Sequence, residues 1–300
     1  MQNILQAMDK ETVPKALAMI VGQVGASYRP LGATMAIYED GRHLGHVSSG
    51  CIEADIVAHA LEANEMRTLT YGQGSPYLDL KLPCGGGMDI LILPDPDVGV
   101  LNAAHSQLAA RQPTALAVDT STGALSLAST TQTGMNGSEF TLAMAPARKF
   151  FVFGNGHEAQ AFAELVDGAG YPIELYSTNQ DTLDDCRIPA KRQHHLVATK
   201  IPDPNLIDEW SSVTLFFHEH DLEEQILRDA LGTPAFYIGA QGSMTTHMAR
   251  LDGLRSHGVP DEDLARIRGP IGLIPKVRDP QTLAISVLAE IHKVALETDT

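Results

Sequence analysis

The stretch Phe150-Phe-Val-Phe-Gly-Asn-Gly-His-Glu-Ala159 decides how the second half of this 300-residue chain folds. Its four leading apolar residues predict a strand buried on both faces. Gly154 and Gly156 follow directly, and Ala159 takes the third position of a G-x-G-x-x-G/A pattern. Apolar residues then recur at helical spacing until Gly168, which is typical of a helix end. Strand, glycine turn and helix in this order predict a Rossmann-like doubly wound parallel sheet.

The glycine turn predicts a phosphate site. Its first glycine permits a tight turn, its second lets a phosphate approach the backbone, and the helix start offers free N–H groups. We therefore expect Gly154, Gly156, His157 and Ala159 to bind the phosphate of a cofactor. The alternative, a Rossmann-type turn kept only for packing, stays open.

A dinucleotide site of this type also needs a carboxylate about 20 residues further on, to hold the ribose hydroxyls. The second predicted strand, Ile173–Tyr176, is followed by Ser177-Thr178-Asn179, and Glu174 lies inside the strand. No basic residue stands there for a 2′-phosphate. The sequence thus predicts a phosphate-bearing ligand and leaves NAD(P) open.

Length and composition set the broad class. A chain of this length predicts two domains, and we place them at 1–147 and 148–300. Net charge is −16, with −7 in the first part (7 basic, 14 acidic residues) and −9 in the second (14 and 23). This evenly spread acidity argues against nucleic acid or anionic membrane as a partner.

The chain's ends and cysteines indicate where it works. No apolar run approaches the ~20 residues that a membrane helix needs, and the N-terminus lacks the basic start and apolar core of a signal peptide. Three cysteines do not predict a disulfide framework. We expect a cytoplasmic protein.

The first part predicts an α+β domain. Strands are expected at 16–24, 33–38 and 44–47, with an Asp-Gly hairpin turn between the last two. The loop from Gly25 to Gly32 carries Arg29, a residue type that binds phosphate or carboxylate. A solvated loop arginine is the alternative.

The stretch Ser48-Ser-Gly-Cys-Ile-Glu53 predicts a thiol at a helix start. Ser48 and Ser49 are expected to cap a helix that runs to about residue 64. Cys51 would then feel the positive end of the helix dipole, which favours thiolate, while Glu53 would oppose it. A small buried cysteine is the alternative.

Cys84-Gly-Gly-Gly87 is a second unusual loop. Successive glycine N–H groups can form an anion-binding nest, so Cys84, Gly85 and Gly86 are candidates for cofactor binding. A tight turn with an inert cysteine is the alternative.

Further turns follow the predicted strands of the second part. His218 and His220 stand beyond the strand 213–217, where they are either structural or a metal or phosphate contact. The turn Gly239-Ala-Gln-Gly-Ser243 precedes a helix, and we expect Gly239 and Ser243 to contact the ligand. Asp279 and Pro280 predict the start of the last helix.

Taken together, these segments resemble the accessory factors of xanthine dehydrogenase, the XdhC/CoxI-type proteins. The matching stretches run in the family's order over nearly the whole chain: 48–53, 84–87, 154–159, 237–243, 269–273 and 284–290. The family commonly has Ser-Gly-Gly-Cys where this chain has Ser49 in the middle.

The resemblance implies a protein that binds molybdenum cofactor, as molybdopterin or its dinucleotide, and hands it to a client such as xanthine dehydrogenase. Some members are also linked to sulfuration of that cofactor through a cysteine desulfurase. Soft thiolates suit molybdenum, so Cys51 is expected at the metal or sulfur end, with Glu53 beside it. We expect a homodimer.

Three hypotheses remain at this point. The first is a cofactor-binding maturation chaperone that is not itself an enzyme. The second is an NAD(P)-dependent oxidoreductase, and the third is a nucleotide-binding sensor that uses the Rossmann-like domain.

Overall fold

The computed structural model describes residues 1–8, 13–25, 27–73, 75 and 85–298, without the side chain of residue 220. They divide into two compact units, Met1–Pro146 and Ala147–Thr300. The elements of the first unit are α1 (Gln2–Met8), β1 (Ala16–Val24), β2 (Thr34–Ile37), β3 (His43–Leu44), α2 (Glu53–Glu62), β4 (Arg67–Gly72), β5 (Gly87–Pro94), α3 (Val98–Ala109), β6 (Thr114–Asp119), β7 (Leu125–Ala128), β8 (Gly134–Asn136) and β9 (Glu139–Met144).

Two antiparallel sheets form the first unit, with strand orders β3-β2-β1-β5-β4 and β7-β6-β9-β8. Alternate residues of β1 serve two cores, because successive strand side chains point to opposite faces. Leu17 and Met19 face the core that contains α1, α3 and the second sheet. Ala18 and Ile20 face α2. The predicted α+β class is confirmed.

The second unit begins with the stretch at 150–159. Phe150 and Val152 pack on one face of the sheet, and Phe151 and Phe153 pack on the other. All four are at most 1% exposed, as expected for a strand between two helical layers. The elements are β10 (Lys149–Gly154), α4 (His157–Gly168), β11 (Ile173–Ser177), α5 (Gln180–Asp185), β12 (Gln193–His195), β13 (Ser211–Phe216), α6 (Glu224–Leu231), β14 (Tyr237–Ala240), α7 (Met244–Ser256), α8 (Asp261–Leu264), β15 (Ile267–Arg268) and α9 (Pro280–Thr298).

The sheet of the second unit has the order β12-β11-β10-β13-β14-β15, and its neighbouring strands are parallel. In chain order this is 3-2-1-4-5-6, the doubly wound Rossmann arrangement. The predicted Rossmann-like fold is therefore confirmed. Such sheets bind ligands outside the carboxyl ends of their strands, where the order reverses, here between β10 and β13.

Some local predictions were wrong. Ser48 and Ser49 do not cap α2, whose N-cap is Ile52 and has no side-chain cap. Gly239 lies inside β14 rather than in the turn after it.

The predicted cap at Asp279 is correct, since its Oδ1 accepts from the Thr282 N–H at 2.8 Å. No helix among the described residues is long and apolar enough to cross a membrane.

Candidate functional site

The two glycines of the β10–α4 turn do different work. A Cβ on Gly154 would lie 2.6 Å from the Phe216 carbonyl oxygen, so this glycine lets β10 approach β13. Gly156 is the N-cap of α4, with φ 81° and ψ −164°, a conformation that is essentially confined to glycine. A Cβ on Gly156 would meet no atom closer than the Glu158 Oε2, at 3.9 Å. Gly154 is thus a packing glycine, and Gly156 fixes the turn while leaving space above it.

The second glycine's N–H, which the motif offers to a phosphate, already has a partner inside the protein. The Gly156 N–H donates to Thr182 Oγ1 at 2.9 Å. Thr182 in turn donates its own N–H to Asn179 Oδ1, also at 2.9 Å. The turn is therefore closed by the first turn of α5.

A polar network stands where a ribose carboxylate would be. Ser177 Oγ donates to Asn155 Oδ1 at 2.7 Å, and Asn155 Nδ2 donates to Thr178 Oγ1 at 2.9 Å. Glu174, the nearby carboxylate, is turned to Lys149 and His194 at 3.1 and 2.8 Å. Burial raises the pKa of Glu174, but its bonds to those two side chains outweigh burial and hold it below its ordinary value. The polar side chains at the carboxyl ends of β10 and β11 are thus hydrogen-bonded to one another.

The first turn of α4 also carries charge. Glu158 belongs to this turn, and its Oε2 lies 3.6 Å from His218 Nε2. His157 Nδ1 lies 3.1 Å from Gln160 Oε1, while Ala159 is fully buried in the core. An anion approaching this turn would therefore meet a carboxylate.

The β14–α7 connection leads into a helix that, unlike α4, has no acidic residue in its first turn. Gly239 is buried in β14, where a Cβ would lie 2.6 Å from the Tyr237 ring, so this predicted contact residue is needed for packing. Ser243 is the N-cap of α7 and accepts from the Thr246 N–H at 3.1 Å. The first turn of α7 contains no acidic residue.

A buried charged pair lies against this connection. Arg250 of α7 pairs with Glu223 at 2.9 Å, with side chains 4% and 1% exposed. Arg250 Nη2 also donates to the Gln241 carbonyl oxygen at 2.8 Å. Arg250 Nη1 and Gln241 Oε1 are buried without a hydrogen-bond partner among the described residues. His247, whose pKa is lowered by burial and by Arg250, also lies on α7.

In the first unit, Glu53 organises the loop that carries Cys51. Glu53 Oε1 accepts from the Ser48 N–H at 2.8 Å, and its Oε2 accepts from Ser48 Oγ at 2.5 Å and from the Ile52 N–H at 3.3 Å. The Glu53 side chain is buried. Burial raises the Glu53 pKa, but these hydrogen bonds outweigh it and hold the pKa below the ordinary value of 4.5.

Cys51 is exposed and lies two residues before α2. Its Sγ donates to Ser48 Oγ at 3.5 Å, and the Gly50 N–H donates to the same oxygen at 3.1 Å. Gly50 has φ 102° with open space around it, and Ser49 is exposed. Ser48 thus links the thiol to the Glu53 carboxylate.

Strand register places three predicted segments at one end of the five-stranded sheet. Val24 and Gly72 are both paired with Gly87, the first residue of β5. The Gly25 loop meets Gly86 there, since a Cβ on Gly25 would lie 3.5 Å from the Gly86 Cα. Tyr71, next to Gly72, donates to Asp55 Oδ2 in the first turn of α2 at 2.6 Å.

The Cys51 loop, Gly25 with residues 27–32, and the end of the triple-glycine segment therefore lie at the same sheet end. Gly85 has φ 71° there. Arg29 is exposed and has no ion pair among the described residues. Cys84 lies outside the described residues.

The third cysteine of the chain, Cys186, lies in the second unit. Cys186 is buried, and burial is the main cause of its raised pKa. The described residues contain no group of three or more His, Cys, Asp or Glu side chains that could hold a metal ion.

Sequence reasoning missed the residues that organise these sites. Ser48, Thr182 and Arg250 were not predicted to do so. Each forms hydrogen bonds with a partner that the sequence pattern does not identify. Only Arg250 could have been singled out from the sequence, because an arginine is always charged and needs a partner when it is buried.

Comparison with known proteins assigns the family. The XdhC Rossmann domain model matches residues 150–291, and the model of the XdhC and CoxI family matches residues 9–72. The molybdenum cofactor insertion chaperone PaoD of Escherichia coli is 35% identical over 94% of this chain and 84% of its own length. This chain belongs to the XdhC and CoxI family. The family predicted from the sequence is thus confirmed.

Two further relatives are more distant. The uncharacterized protein YqeB of Escherichia coli is 22% identical over 96% of this chain, which spans 44% of that protein. A crystal structure of a protein from Bacillus halodurans, described as a xanthine dehydrogenase, matches with a TM-score of 0.78 and 21% identity. The matched region covers 99% of this chain and 96% of the Bacillus halodurans chain. At this identity the match supports the fold alone.

Proposed function

We propose that this protein binds molybdenum cofactor and delivers it to a molybdenum hydroxylase of the xanthine dehydrogenase type. The observation that carries the proposal is the 35% identity to a molybdenum cofactor insertion chaperone along 94% of the chain. Because the similarity spans both units, it supports an accessory role for the whole chain rather than for one fold.

Cys51 is the proposed contact to molybdenum or to its sulfur ligand. Thiolate is a soft ligand that suits this end of the cofactor. The exposed side chain of Cys51 and the anchoring of its loop by Glu53 support this role. Glu53 is then a positioning residue, since its two carboxylate oxygens are occupied by Ser48 and Ile52. A cysteine desulfurase partner that sulfurates the cofactor would then act at the molybdenum end held by this thiol.

An NAD(P)-dependent oxidoreductase is the second candidate, because the strand order is that of dinucleotide-binding sheets. The network of Ser177, Asn155 and Thr178 counts against it, since it occupies the place of the ribose carboxylate. A nucleotide-binding sensor would share this difficulty.

The test is to purify the protein from cells that make molybdenum cofactor and to assay the bound pterin and metal. The protein is then added to a cofactor-free molybdenum hydroxylase, and activation is measured. We expect Cys51→Ser to lower activation strongly, while Cys186→Ser, the buried matched control, leaves it close to wild type. Absence of bound pterin, or equal activation by both variants, would contradict the proposal. Size-exclusion chromatography of the same sample tests the homodimer.

A further inference from the structure

The amino ends of α4 and α7 both face the carboxyl edge of the parallel sheet, but they differ as anion sites. At α4, the Gly156 N–H is already bonded to Thr182, and Glu158 lies in the first turn. At α7, the first turn has no carboxylate, and the Ser243 cap bonds only one of the N–H groups that a helix start leaves free.

Arg250 supplies a second and independent observation at α7. Its Nε and Nη2 are used by Glu223, and Nη2 also serves the Gln241 carbonyl oxygen. Its Nη1 is a buried donor without a partner among the described residues. Buried polar groups are nearly always hydrogen-bonded, so such a donor calls for an absent water or ligand.

The guanidinium of Arg250 points at the loop that begins α7. Nη2 lies 2.8 Å from the Gln241 carbonyl oxygen and 3.6 Å from the position of a Cβ on Gly242. Gln241 also leaves Oε1 buried without a partner among the described residues. Gly242 has φ 146°, which L side chains rarely adopt, and a Cβ there would lie 3.0 Å from Thr246 Cγ2, so this glycine lets the loop pack against the first turn of α7.

We propose that the amino end of α7, formed by Gln241–Ser243 with Arg250 beneath it, binds a phosphoryl group. The free N–H groups of the helix start and Arg250 Nη1 are its donors. Glu223 balances the charge of Arg250 and holds the guanidinium in place. Because Arg250 Nη1 is buried, the loop Gln241–Ser243 has to move for a phosphoryl group to reach it. The inference rests on the proposed function in taking this group to be the phosphate of the cofactor.

Inorganic pyrophosphate is the probe, because it tests the site without the cofactor. Affinity is measured by calorimetry for the wild type, Ser243→Asp and Asn179→Asp. Aspartate is as good an N-cap as serine, so Ser243→Asp keeps the start of α7 and adds only a negative charge. Asn179 caps α5 beside the glycine turn, so Asn179→Asp adds the same charge there. The unfolding midpoint of each variant checks its fold.

We expect Ser243→Asp to weaken pyrophosphate binding at least tenfold and Asn179→Asp to change it less than twofold. Arg250→Lys keeps a positive charge for Glu223 but removes a donor, and it should weaken binding at least fivefold if it folds. A wild type that does not bind, or a Ser243→Asp variant within twofold of it, would overturn the site. A larger loss in Asn179→Asp would also overturn it, in favour of the glycine turn.

Repeating the series with molybdopterin separates this inference from the proposed function. If pyrophosphate binds at α7 but molybdopterin does not bind the protein, the site stands and the proposed function fails. If molybdopterin binds equally to the wild type and Ser243→Asp, the proposed function stands, and the cofactor's phosphate is not bound at α7.

Discussion

Replacing Glu53 by glutamine should destabilise the first unit, because the carboxylate divides its hydrogen bonds between two oxygens. Oε1 accepts from the Ser48 N–H, and Oε2 accepts from Ser48 Oγ and the Ile52 N–H. An amide offers a single acceptor oxygen. In either orientation of the introduced amide, one set of buried donors faces an NH2 group.

The magnitude follows from these contacts. Hydrogen bonds to charged groups contribute about 1.5–3 kcal/mol, and an unsatisfied buried donor costs about 1–3 kcal/mol. Because the Ser48 hydroxyl can rotate away from the amide, we expect a net loss of about 2–4 kcal/mol in the free energy of unfolding. At about 2–4 °C per kcal/mol for a unit of this size, the unfolding midpoint should fall by about 4–16 °C.

The pH dependence has a defined sign. Since the Glu53 pKa is lower in the folded protein than its ordinary 4.5, its stabilisation is present above that value and is lost as the pH falls through the folded pKa. Thermal unfolding is followed by circular dichroism from pH 7 to pH 3. The difference between the wild type and Glu53→Gln should be full at pH 7 and should narrow below about pH 4.5.

Asp119→Asn is the matched control. Asp119 also accepts three hydrogen bonds, from the Ser121 N–H, Ser121 Oγ and the Thr122 N–H, at 2.8, 2.5 and 3.3 Å. All three reach Oδ1, which an asparagine oxygen can replace, so this variant should unfold close to the wild type. A Glu53→Gln midpoint within 1 °C of the wild type, or a difference that does not narrow in acid, would refute this account of Glu53.

Three further predictions concern the thiols and the glycine turn. Iodoacetamide at pH 8 should label exposed Cys51 at least tenfold faster than buried Cys186, as followed by peptide mass mapping, and equal rates would contradict the structure. Gly154→Ala should lower the free energy of unfolding in urea more than Gly156→Ala does. A Cβ at Gly154 meets a backbone oxygen at 2.6 Å, whereas Gly156→Ala carries only backbone strain of roughly 1–3 kcal/mol. The reverse order would be evidence against Gly154 as the packing glycine. Calorimetry should show a pterin phosphate binding more tightly than NAD, because the Ser177 network replaces the ribose carboxylate, and tighter NAD binding would argue for the oxidoreductase.

Much of the fold was predictable because its signals are local. The apolar run at 150–153, the glycines after it and the helical spacing beyond it lie within one short stretch, and burial on both faces leaves such a run few alternatives. The same holds for β1, whose residues are apolar on both faces of its sheet. The resemblance to a known family then extended the prediction over the whole chain.

Elements that depend on distant partners were not predictable in this way. In β4 (Arg67–Gly72) the buried Leu69 and Tyr71 alternate with partly exposed residues, and this short pattern was not identified as a strand. The start of α2 was misplaced because Ser48 Oγ bonds the Glu53 carboxylate and the Gly50 N–H instead of an N–H of the helix. Gly239 was placed in a turn, but it lies in β14. A glycine is present in this strand because the Tyr237 ring occupies the space of a side chain.

The candidate site shows the same limit at the level of single groups. A G-x-G-x-x-A pattern predicts the shape of a turn, and that shape is present at Gly156. It does not predict which donors remain free, because Thr182, which takes the Gly156 N–H, comes 26 residues later and belongs to another element. The α7 end shows a related limit. The turn Gly239–Ser243 predicted a ligand contact at Ser243, but it did not predict the buried donor Arg250 Nη1, which has no partner there among the described residues. An anion site in a Rossmann-like sheet therefore has to be found by following each donor to its acceptor, and in this protein that criterion favours α7 over the glycine turn.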